Sequence, residues 1–167
     1  MAETLNDIDR AILEALTDDG RMSMRTLAEQ LHISRANAYV RVSRLRSNGV
    51  IRGFRADVDP ARSGWGTSAY VTLNLRQAEW RRIREELQQL RGVVQIALVG
   101  GEFDVILLVR AQDNADLRRL VLDEIQDING VINTHTQLVF EETQPRRRVV
   151  GPSIEDRREQ HHEPPPS

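Results

Sequence analysis

The 167-residue chain has no cysteine and no lysine, and only 4% of its positions are aromatic. It also has no run approaching the roughly 18 apolar residues that a membrane-spanning helix needs. Without cysteine there is no disulfide framework, no thiolate zinc site and no cysteine nucleophile. The opening residues, Met1 to Asp7, are acidic and lack the basic and apolar regions of a secretory signal, so a cytoplasmic location and no membrane contact are expected. Without lysine, arginine is the only strongly basic side chain. Genome base composition can produce that bias, and nothing about contact geometry is read from it. What remains is ordinary globular material, 40% hydrophobic and 29% charged, which excludes wholesale disorder.

The formal net charge of −2 argues against a polyanion partner, but its distribution argues for one. Residues 1–20 carry six acids (Glu3, Asp7, Asp9, Glu14, Asp18, Asp19) against Arg10. Residues 21–56 carry eight arginines (Arg21, Arg25, Arg35, Arg41, Arg44, Arg46, Arg52, Arg55) against Glu29, a local balance of +7. Within a Debye length of about 10 Å, a nucleic acid responds to that local stripe, not to the chain total.

Residues 1–49 show only helical periodicity. Leu5, Ile8, Ile12 and Leu16 share one face of a first helix with Asn6 as N-cap and Asp18-Asp19-Gly20 as its stop. A short helix from Met24 to Leu31, capped by Ser23, turns through His32-Ile33-Ser34 into a third, capped by Ser34 and ending at Asn48-Gly49. The tight turn makes a helix-turn-helix natural. Val50 to Ala56 is β-prone and reads as a small hairpin or wing. The helix-turn-helix domain is thus residues 1–57, followed by a linker at 58–66, with Trp65 expected where the domains meet.

From residue 67 to 144 the pattern becomes βαββαβ. Strands are expected at Ala69 to Leu75, Val93 to Val99, Asp104 to Ala111 and Val131 to Phe140, and helices at Gln77 to Leu90 and Asn114 to Ile128. The fold class is therefore α+β, a winged helix-turn-helix followed by a ferredoxin-like domain with two helices on one sheet face. Val94, Ile96, Leu98, Ile106 and Leu108 are assigned to the other face. They are too apolar for water, so self-association is expected. Residues 145–167, with Arg146-Arg147-Arg148, His161-His162 and a proline run, form a tail expected to be largely disordered.

The N-terminus of the third helix, directed into a major groove, presents its first two turns to base edges. Arg35 and Asn37 are the types that bond guanine and adenine, at about 1–3 kcal/mol of discrimination each. Arg41 and Arg44 are placed for phosphates, and Arg52 and Arg55 for the backbone beside the wing. The alternative is that Arg41, Arg44 and Arg46 solvate an exposed face while Asn37 satisfies the Ser34 cap, and that Arg52 and Arg55 sit on a solvated hairpin; the basic segment and the helix spacing favour double-stranded DNA. Gly100 and Gly101 could offer open amides to a carboxylate, with Glu102 or Asp104 meeting an ammonium. The same residues also suit a plain hairpin turn. No metal-ligand spacing, phosphate loop or paired nucleophile occurs, and two adjacent histidines in a tail cannot close a metal site. No metal, no cofactor and no catalysis are expected.

These segments together resemble the Lrp/AsnC (feast/famine) family over about residues 4 to 144. Leu5-Asn6-Asp7-Ile8-Asp9 with Ile12-Leu13 is similar to its opening helix, and Asp19-Gly20-Arg21 to its first turn. Ser34 with Arg41-Val42-Ser43-Arg44-Leu45 is similar to its recognition helix, and Gly49-Val50-Ile51-Arg52-Gly53-Phe54 to the stretch beyond it. Gly101-Glu102-Phe103-Asp104 and Gly130-Val131 with Thr134-His135-Thr136 fall at the signatures of its ligand-responsive domain. The resemblance implies transcriptional regulation, homodimers assembling into octamers, and a small effector, usually an amino acid, with Thr134 and Thr136 as hydroxyl partners. Two departures stand out: His32 replaces the turn glycine, a residue that accepts left-handed backbone, and Arg35-Ala36-Asn37-Ala38 lacks the prolines of relatives. Siroheme decarboxylases resemble the family too, but they would need histidine and arginine near the propionates, and only His32 and His135 lie in the folded region. An effector-binding protein without DNA affinity is the third reading, disfavoured by the basic segment.

Overall fold

The computed structural model describes residues 5–76 and 79–143, in two compact units, one ending at Ala56 and the other spanning Asp57–Thr143. The expected tail, with Arg146–Arg148 and His161-His162, lies outside the described residues.

The first unit is three helices, α1 (Asp7–Asp18), α2 (Met24–Gln30) and α3 (Arg35–Ser47). Each begins where a side chain satisfies an orphan amide. The Asn6 side chain accepts from Asp9 N at 3.0 Å while Asp9 Oδ2 accepts from Asn6 N at 3.4 Å, a reciprocal capping box. Ser23 Oγ accepts from Thr26 N at 3.0 Å and Ser34 Oγ from Asn37 N at 3.1 Å. The α2–α3 turn closes with His32 at φ 53, the left-handed geometry expected of that position. Ile12, Leu16, Leu27, Val42 and Leu45 fill the small core.

Val50 to Ala56 differs from the hairpin expectation: no strand forms among the described residues of this unit. The segment occupies the wing position as an extended arm. Ile51 N donates to Leu45 O at 2.9 Å, and Phe54 lies so close to Gly20 that a Cβ there would sit 3.3 Å from its ring. Packing onto the α1–α2 turn replaces strand pairing.

In the second unit the residues expected as a linker carry a single 3₁₀ turn, Ala61–Ser63, and Trp65 lies beside the guanidinium of Arg91, 5.8 Å from ring centroid. Beyond it come β1 (Thr67–Leu75), α4 (Trp80–Gln89), β2 (Val93–Leu98), β3 (Val105–Ala111), α5 (Asn114–Arg119) and β4 (Val131–Leu138). The sheet order is β2-β3-β1-β4, all antiparallel, the ferredoxin-like arrangement. The α5 periodicity continues through a π-helical turn at Leu120–Ile125 that still buries Leu120, Val121 and Ile125. Ala69, Val71, Leu73, Val105, Leu107 and Val109 meet Ile83, Leu87 and the α5 residues in a continuous apolar core.

Register corrects the assignment of the second sheet face. Directly paired residues share a face, and Ile96 pairs Leu107 and Leu98 pairs Val105, so both lie on the helix side of the sheet, Ile96 against the core and Leu98 57% exposed at the strand's end. The cause is a bulge at Val94, between the Val93–Val109 and Gln95–Leu108 pairs, which reverses every later side chain of β2. The open face instead carries Tyr70, Thr72, Asn74, Ala97, Ile106, Leu108, Arg110 and His135. Ile106 and Leu108 lie where expected.

Candidate DNA-binding and effector sites

The interface in the first unit is organised by a carboxylate. Asp9, 1% exposed, accepts from Arg41 NH1 at 2.8 Å and from Arg44 NH2 at 2.6 Å. Arg41 NH1 also donates to Asn6 Oδ1 at 3.1 Å, and its Nε to Asn37 Oδ1 at 2.9 Å. Two α3 arginines are therefore bound to the capping box of α1, and Asn37 is oriented by one of them. Arg41 and Arg44, expected at phosphates, hold α3 against α1, because a buried carboxylate demands charged partners at hydrogen-bond distance.

The remaining cations face outward. Arg35, Arg46, Arg52 and Arg55 are exposed and make no ion pair among the described residues. Arg35 lies over the Tyr39 ring, 5.6 Å from its centroid. Ser34 serves as the α3 cap. Arg46 was not singled out from sequence; its exposure on α3 follows from lying one position past buried Leu45. Elsewhere in the basic segment Arg25 pairs with Glu29 at 2.9 Å. The basic stripe is thus partly neutralised at its base and open on its outer side.

In the second unit Gly100 to Asp104 joins β2 to β3 at the end of β1. Gly101 has φ 139, a geometry that side chains rarely adopt, and open space surrounds the Cβ positions of Gly100 and Gly101. Asp104 is committed to the scaffold: its N donates to Leu73 O at 2.9 Å, and its Oδ2 accepts from Leu75 N at 2.7 Å. Glu102 O accepts from Asn74 Nδ2 at 2.8 Å, while its exposed carboxylate makes no ion pair among the described residues. The Phe103 ring lies 5.9 Å from that of His135. The loop thus folds over the open face beside Asn74 and His135.

Thr134 and Thr136 are not brought to that face. They pair with Leu73 and Val71, whose side chains are buried under the helices, and Thr134 Oγ1 accepts from Gln126 Nε2 at 2.6 Å. A bulge at Ile132, between the Leu75–Val131 and Asn74–Asn133 pairs, sets this parity. Asn74, Phe103 and His135 neighbour the loop and were not singled out as site residues. Among the described residues no three carboxylate or histidine groups gather into a metal site, and no helix is long and apolar enough to cross a membrane.

A capped helix-turn-helix with outward arginines, in one chain with an α/β sandwich bearing an open glycine loop, defines the class of DNA-binding transcriptional regulators with a ligand-binding domain. Residues 5–52 match the family model for winged helix-turn-helix DNA-binding domains, and residues 68–149 that for the Lrp/AsnC ligand binding domain. The regulator AldR of Mycolicibacterium smegmatis is 39% identical over 143 residues, covering 84% of each chain, and AldR of Mycobacterium tuberculosis is 37% identical over 140, covering 82% of this chain and 78% of its own. Escherichia coli AsnC superposes with a TM-score of 0.78 at 26% identity, covering 87% of this chain and 98% of its own. A Neisseria meningitidis transcriptional regulator in complex with L-Met superposes at 0.77 and 25% identity, covering 85% and 94%. The chain belongs to the Lrp/AsnC family of transcriptional regulators.

Proposed function

We propose that this regulator binds pseudo-palindromic double-stranded DNA as a homodimer, and as higher assemblies up to an octamer, under control of an amino-acid effector in the cytoplasm. The observation that carries the reading is α3 itself: Asp9 fixes its orientation, and Arg35, Arg46, Arg52 and Arg55 remain available to phosphates and bases. Asn37, with Oδ1 already accepting from Arg41, turns its amide donors toward an acceptor on a base.

Self-association through the open sheet faces is supported by what they display. Tyr70 is 43% exposed beside half-buried Ile106 and over buried Leu108, while Thr72 Oγ1 and Arg110 Nε are buried without a hydrogen-bond partner among the described residues. A second sheet covers such apolar surface, and isologous pairing sets two recognition helices on one face of a duplex. The Gly100 and Gly101 amides suit an effector carboxylate and Glu102 its ammonium, with Asp104 shaping the loop. Thr134 and Thr136 enter this reading only through the helix side of the edge strand. The complex of the Neisseria regulator with L-Met supports an amino acid as the effector class. Occupancy that favours one assembly over another changes DNA affinity by linkage.

The test is duplex binding across a salt series, with and without a panel of amino acids. The reading requires a steep salt dependence and an affinity change with at least one amino acid. Gly101→Val should abolish that change while DNA binding persists. Binding that ignores salt, or an effector response intact in Gly101→Val, would overturn the corresponding half.

A further inference from the structure

Of the four arginines of α3, two are turned from its solvent face toward α1. Arg41 and Arg44 are drawn toward α1 by Asp9, and Arg35 lies along Tyr39. Between them stands Val40, 67% exposed and outside the apolar core of its unit. Ala36, one turn earlier, and Ser43, nearly one turn later, are exposed and too short to screen it. A β-branched residue on a solvent face slightly weakens a helix, and Val40 has no place in the apolar core that would offset this. Its isopropyl group cannot donate or accept a hydrogen bond, so among base edges it complements one feature only: the thymine C5-methyl of the major groove.

We propose that Val40 is a specificity-determining residue that reads a thymine methyl in each half-site. The inference rests on the reading of α3 as the groove-entering helix. Asp9 supports it indirectly, since a guanidinium released from Asp9 could swing across this surface and replace methyl recognition with phosphate or guanine contact.

The experiment begins with duplexes selected for binding to the full-length protein from a random pool. Each thymine in the selected site is then replaced, singly, by deoxyuridine, which removes the C5-methyl and leaves pairing intact. At one or two positions per half-site, affinity should fall about fourfold, the equivalent of the ~0.8 kcal/mol of one buried methyl group. In Val40→Ala the thymine and deoxyuridine duplexes should bind equally, while the slope of affinity against salt stays at its wild-type value, because no charge was removed. A selected site with no methyl-dependent position overturns the inference, as does a deoxyuridine penalty that persists in Val40→Ala. Steep salt-dependent binding without methyl dependence removes the role of Val40 and leaves the α3 reading standing; no duplex binding by the wild-type protein removes both.

Discussion

Asp9 and Leu107 are each at most 1% exposed, and they hold their units by opposite means. Around Asp9, a three-helix unit with a small core is fixed by ion pairs, a capping box and serine caps. Around Leu107, a four-stranded sheet and two helices share an extensive apolar core, and the charged pairs, such as Arg82 with Glu79 and Glu86, stay near the surface. Hydrophobic burial scales with area and tolerates approximate geometry, whereas a buried carboxylate is satisfied only by donors in specific places. The unit that must present a helix at a defined angle uses the directional interaction. The unit that must pack uses the non-directional one.

Breaking the apolar side of this contrast should have the largest effect. Leu107→Ala leaves a cavity under both helices and should cost about 3–4 kcal/mol. Trp65 and Trp80, the two tryptophans of the chain, both lie in the second unit, so their fluorescence in a urea titration should report the loss. Amide exchange of α3 should be unchanged. Asp9→Asn should produce the mirror image. It strips the charge that two guanidinium groups share and should cost the first unit about 3 kcal/mol. Faster exchange of α3 amides with an unmoved tryptophan transition is the expected signature; a moved tryptophan transition would dissolve the comparison. Ser34→Ala leaves the Asn37 amide without its acceptor and should cost about 1 kcal/mol, again in the first unit alone.

The smallest effect belongs to a surface pair of the second unit. The Arg119 guanidinium, joined by the Gln112 amide, holds the Asp116 carboxyl below its ordinary value of 3.8. A carboxyl depressed in the folded state contributes stability above its unfolded value and loses it as pH falls through the folded one. Asp116→Asn should therefore flatten the stability profile only below about pH 4, slightly, since the pair faces water. Acid titration of variant and wild type checks it.

Local features were legible in the residues. The caps at Asn6, Ser23 and Ser34, the left-handed His32 and the strand and helix order all follow from short-range chemistry, and each is where periodicity and capping place it. Two single-residue bulges account for what was misassigned on the sheet. Val94 and Ile132 each break a period of two, so Ile96, Leu98, Thr134 and Thr136 take the helix side of the sheet and His135 takes the open side, beside Asn74, which the alternation of β1 already places there. Nothing in the composition of a strand announces where its partner will skip a residue. The Asp9 network was hidden for another reason: Arg41 and Arg44 lie 32 and 35 residues away, and a local charge count treats all eight arginines alike. The wing segment was legible but its hairpin form was not, because β-prone residues without a pairing strand pack as an arm instead.

The proposed division of labour among the arginines of the first unit is read from the slope of log affinity against log salt for single alanine variants. Arg46→Ala and Arg52→Ala should each reduce the slope by about 1, while Arg44→Ala, measured where it remains folded, should leave the slope unchanged and lower the stability of the unit. A slope for Arg44→Ala that drops as far as that for Arg52→Ala would put Arg44 on a phosphate and undo that division.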